Sequence, residues 1–131
     1  MKSYTNIEQS KKLAEILPIE SADMWWNYYS VTTDFGTPQI IHLNTPWVGS
    51  FNWNNKPDNI PCWSLEALLN AIPKHIKDYN VLRIDINENT FAIWYDEIDY
   101  GVNTELPDIT MESAVDACVK MVLKLHELKL L

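Results

Sequence analysis

Between residues 110 and 129 the apolar positions Met111, Ala114, Val115, Ala117, Cys118, Val119, Met121, Val122, Leu123, Leu125 and Leu128 leave one narrow polar stripe. The stripe, Ser113, Asp116, Lys120, Lys124 and Glu127, recurs at spacings of three and four, which predicts a helix buried on more than one side, with Thr110 as its cap. An arc through Met111, Val115, Cys118, Val122 and Leu125 suits a sheet, while Ala117, Met121, Leu128, Leu130 and Leu131 point partly elsewhere. Two covers fit that second face: the chain's first helix, or the same 110–129 helix of a second copy in a homodimer.

The period changes from helical to alternating at residues 79 to 87, with Leu82, Ile84 and Ile86 on one face and Arg83 and Asp85 on the other, a half-buried strand. With a turn over 87 to 90, Ile86 faces Phe91, Ile84 faces Ile93 and Leu82 faces Tyr95 on an antiparallel partner reaching residue 97. The same register sets Arg83 opposite Trp94, a guanidinium over an indole. Residues 24 to 32 are aromatic and β-branched, and after the turn Asp34-Phe35-Gly36-Thr37-Pro38 a second strand sharing Ile41 and Leu43 completes a hairpin over 24 to 44. Thr5 and Glu8 have capping-box spacing for a helix over 6 to 17 that Pro18 stops, and Ser64 caps a helix over 64 to 72 that Pro73 stops. Trp63, just before that cap, is expected to staple onto the following turn. Residues 96 to 109 read as an acidic linker. The expected fold class is α+β: a single domain over 1–131, with two antiparallel β-hairpins forming a sheet and three helices packed mainly on one of its faces.

Charge narrows the choice of partner. The net charge is −8, and nine of the carboxylates fall between residues 84 and 119, where no lysine or arginine occurs. That segment disfavours direct nucleic-acid or anionic-membrane binding and suits cations or a basic protein. The polar start MKSYTNIEQSKK carries no apolar signal segment, no stretch approaches the roughly 18 apolar residues of a membrane span, and Cys62 and Cys118 lack metal or disulfide spacing. These features predict a cytoplasmic protein with reduced thiols.

Candidate chemistry is sparse. His42, His75 and His126 stand in no HExxH and beside no cysteine at zinc spacing, and only Gly36, Gly49 and Gly101 are present, too few for a phosphate-cradling loop. In the run Asp96-Glu97-Ile98-Asp99-Tyr100-Gly101, an EF-hand would need oxygen ligands where Ile98 and Tyr100 stand. No metal, cofactor or catalytic residue is assigned. Six tryptophans in one small domain exceed what a single core usually demands, and the segment 45 to 61 carries Trp47, Phe51 and Trp53 among asparagines and prolines. Trp47, Phe51 and Trp53, with Asp96, Glu97 and Asp99, are the candidate ligand- or partner-binding residues. The expected function is a non-enzymatic binding or protein-interaction module. Its alternatives are a small-molecule-binding protein or hydrolytic enzyme with an aromatic pocket around 45–61, and an acidic mimic that occupies a basic host protein.

The stretches NIEQSKKLAEIL, PCWSLEALLNAIP and AVDACVKMVLKLHEL together resemble small proteins encoded by phages and prophage-like elements of gut Bacteroidetes. That resemblance implies a mobile-element origin. It supplies no activity, and no functional residue is carried over from it.

Overall fold

The computed structural model describes residues 2–42, 44–49, 59–76, 80–97 and 106–131. Helix α1 spans Ile7–Ala14, and its cap lies one residue later than the spacing predicts: Asn6 accepts the Gln9 N–H at 2.8 Å and Gln9 Oε1 accepts the Asn6 N–H at 3.1 Å. Thr5 is withdrawn from capping because it is buried, sharing a 2.8 Å hydrogen bond with Ser10 and accepting the Trp63 N–H at 3.1 Å. After α1 the chain tightens, with the Glu15 N–H donating to Lys12 O and the Ile16 N–H to Leu13 O, short of the expected end at 17, and a 3-10 turn follows at Ile19–Ser21.

The expected hairpin over 24 to 44 divides at Asn27. Strand β1, Met24–Trp26, lies between β4, Trp47–Val48, and β5, Ile60–Cys62, whereas β2, Tyr28–Thr32, pairs with β3, Pro38–His42. Asn27 is buried and its side chain accepts the Tyr28 N–H at 2.9 Å, a local bond that interrupts the strand where the chain changes partners. Gly36, with φ +78°, closes the β2–β3 turn in a conformation that costs other residues strain. Leu43, expected to share a face with Ile41, lies outside the described residues.

Helix α2, Leu65–Ala71, is capped as predicted by Ser64, whose Oγ accepts the Ala67 N–H at 3.2 Å. Asp23 anchors that cap by accepting the Ser64 N–H at 2.9 Å and a short bond from its hydroxyl. A four-stranded antiparallel sheet follows in the order β6, His75–Ile76; β7, Asn80–Ile86; β8, Phe91–Glu97; and β9, Asp108–Met111. The β7–β8 register is the one the alternation predicts, with Ile86, Ile84 and Leu82 opposite Phe91, Ile93 and Tyr95, and Arg83 opposite Trp94.

Two expectations fail here. The described residues form three sheets rather than one, and the end of the acidic segment is a strand, with Ile109 buried between exposed Asp108 and Thr110. Thr110 pairs with Ala92 and cannot cap the last helix, so α3 starts later, at Ala114–Glu127, with Ser113 Oγ accepting the Asp116 N–H at 3.2 Å. Helix α3 lies on β8 and β9, and α1 and α2 pack against it. Val115, Ala117, Cys118, Met121, Val122 and Leu125 have no exposure, so Ala117 and Met121 of the second face are buried within one chain, while Leu128 and Leu131 stay exposed.

A polar clasp ties the N-terminus to this core. Lys2 Nζ lies 2.6 Å from Asp116 Oδ1 and 2.8 Å from Gln9 Oε1, and Gln9 Nε2 donates to the same Asp116 oxygen at 2.8 Å. Burial alone would raise the Asp116 carboxyl. The hydrogen bonds from Lys2 and Gln9, with the Lys2 charge and the bond to Ser113, instead hold it below its ordinary 3.8. A carboxyl lowered in the folded state adds stability above its unfolded value and loses it as pH falls through the folded one. Lys2→Met is therefore expected to cost less than about 1 kcal/mol near neutrality, since both groups are partly solvated, and to cost less still toward about pH 3. Urea midpoints across that range measure it; a penalty that grew on acidification would contradict the clasp.

Candidate functional site

One apolar row of the four-stranded sheet is left bare. A helix is about 10 Å across and strands lie about 4.8 Å apart, so a single helix covers about two of them. Helix α3 takes β8 and β9, where Phe91 and Ile93 are buried. Directly opposite, on the same face of β7, Ile84 is 40% exposed and Ile86 is 74% exposed. At the Ile86 end a groove of about 510 Å³ is lined by Ile86, Leu65, Phe91 and Ala114 together with Lys2, Glu88 and Glu112.

The backbone beside this row is also open. Strand β6 pairs only with the start of β7, through His75–Val81 and Ile76–Asn80, and the last bond on that side runs from the Leu82 N–H to Lys74 O at 2.9 Å. Amides alternate in direction along an antiparallel strand, so the N–H and C=O groups of Ile84 and Ile86 leave β7 on the side that β6 has vacated. No described residue pairs with them there. An open edge of this kind is a template for another strand, and charged or twisted edges usually block it.

The charges around the edge are unbalanced. Lys2 is committed to Asp116 and Arg83 to Asp96, at 3.3 Å, whereas Asp85, Glu88 and Glu112 are exposed with no cation partner among the described residues. The surface thus offers backbone hydrogen bonds, an apolar recess and a negative rim.

The residues singled out from sequence fall elsewhere. Trp47 sits on β4, half exposed, its ring 6.0 Å from that of Trp25 at 56°. Asp96 is on the outer face of β8, accepting from Trp94 Nε1 at 2.9 Å and from Arg83 Nε at 3.3 Å, so the guanidinium and indole expected to stack meet through a carboxylate. Trp47 and Asp96 belong to different sheets and are not brought into one site by strand pairing. Glu97 ends β8 opposite Asn80, with its side chain outside the described residues, as are Phe51, Trp53 and Asp99 altogether. Sequence reasoning missed Ile84 and Ile86 as surface groups because alternation marks the inner face of a strand without saying whether a helix reaches it.

Nucleophiles and metal ligands are not gathered at this surface. Both thiols are buried, and burial pushes Cys118 up to about 12 against the opposing charge of Lys74; burial likewise raises Cys62. Among the described residues no three His, Cys, Asp or Glu side chains cluster to hold a metal ion, and no helix is long and apolar enough to cross a membrane. A second hollow of about 540 Å³ beside α2 presents Glu20, Asp23 and Glu66, but Asp23 is already engaged by Ser64. Comparisons of this chain with protein-family models, with curated proteins and with solved structures find no match.

Proposed function

We propose that this chain is a non-enzymatic protein-interaction module, of the mobile-element type its ends and centre resemble, and that it receives a partner on the open edge of β7. The observation that supports this reading is the exposure of Ile84 and Ile86 beside backbone that has no strand partner among the described residues. Exposed apolar groups next to a groove mark interaction sites. A homodimer through α3 has less support, because Ala117 and Met121 are already buried and only Leu128 and Leu131 stay exposed at the end of that element.

The test uses Ile86→Lys, a change at an exposed position that should leave circular dichroism and the melting temperature close to those of the parent. Retention of a host-lysate partner by the parent, and its loss from the variant, is the expected result. A partner held equally by both proteins would refute the assignment to this edge.

A further inference from the structure

We infer that the occupant of the β7 edge is an extended basic strand, alternating apolar and cationic side chains; this rests on the interaction reading above and names its partner's chemistry. A strand added at Ile84 and Ile86 gains main-chain hydrogen bonds, and its alternate side chains then face opposite sides of the sheet. Those on the inner side meet Ile84, Ile86 and the recess walled by Leu65, Phe91 and Ala114. Those on the outer side meet Asp85, and the strand end nearest the β7–β8 turn approaches Glu88, neither of which has a cation partner among the described residues. Apolar groups are therefore called for on one side and cations on the other.

A second copy of β7 fits less well. Twofold pairing about Ile84 would set each Arg83 against the other chain's Asp85, a favourable match. The same register brings Ile86 of the second copy opposite Leu82, whose N–H is held by Lys74 O. It also gathers two rims of uncompensated carboxylates in a protein of net charge −8.

Fluorescence anisotropy with a labelled peptide of about seven residues alternating lysine and valine tests the inference. Binding is expected to weaken about tenfold between about 50 mM and about 300 mM salt, and at least about fivefold in the double variant Asp85→Asn/Glu88→Gln. Methylation of the peptide amides that would face β7 should abolish it. Equal binding of a block peptide with the same composition, of an alternating glutamate–valine peptide, or of the N-methylated peptide would overturn the proposal, as would no binding at all. Sedimentation showing a dimer of the parent that Ile86→Lys dissolves would assign the edge to a second copy instead. If the peptides fail while Ile86→Lys still loses a lysate partner, the edge remains an interaction site and only the basic chemistry is wrong.

Discussion

Replacing Trp63 with alanine is expected to lower stability by about 3–5 kcal/mol, a large share of the roughly 5–15 kcal/mol available to a domain. The side chain is wholly buried, and it joins three parts of the chain that are distant in sequence. Its indole Nε1 donates to Ser21 Oγ at 2.9 Å, its N–H donates to Thr5 Oγ1, and its carbonyl accepts the Thr5 N–H at 3.0 Å. Alanine keeps both backbone bonds and loses the rest, leaving a cavity between the start of α1, the 3-10 turn and α2. Trp63→Phe retains most of the volume and forfeits the bond to Ser21, for about 1–3 kcal/mol. Urea denaturation should show both losses as shifts in midpoint at constant slope. An alanine variant with the parent's midpoint would mean that this junction does not hold the domain together.

The sequence made that junction only half visible. The tryptophans, Trp63 among them, were expected in core or loop-anchoring roles, and Trp63 is in the core, but nothing local says that Thr5 and Ser21 converge on it. The β7–β8 pair was legible down to its register, since seven alternating positions and a short turn admit few pairings. Helix α3 was legible as the element that organises the main core, where β8, β9, α1 and α2 pack on it, but its start was not. Residues 108 to 111 alternate over a span too short to outweigh their acidic surroundings, so a strand was taken for a linker and Thr110 for a cap. The division at Asn27 was hidden for a similar reason: one asparagine in an aromatic run carries no signal until its side chain is seen to accept the next amide. The candidate site was the least legible part. Trp47 and Asp96 were chosen for their chemistry, yet the distinctive surface is made of two ordinary isoleucines, whose exposure depends on how far one helix reaches across four strands.

Met121→Glu is expected to cost at least about 4 kcal/mol and to leave the protein largely unfolded near neutral pH. Met121 is on the face of α3 turned from the polar stripe and has no exposure, within a core that also contains Leu13, Leu68 and Val122. A carboxylate placed there loses its hydration, and these apolar neighbours offer it no cation. Burial raises the folded-state pKa of the introduced acid above its unfolded value of about 4.3, so the penalty grows as pH rises from that value and is smallest below it. Partial recovery of helical circular dichroism on acidification is thus part of the expected result, while Met121→Leu, which conserves volume, should cost less than about 1.5 kcal/mol. The experiment also decides between the two covers for this helix. If α1 and α2 bury Met121 within one chain, the variant loses structure at every protein concentration and the parent sediments as the same species with or without dilution. If a second copy covers it, the glutamate variant instead stays folded and turns a dimer into a monomer, and the single-chain core described here is refuted.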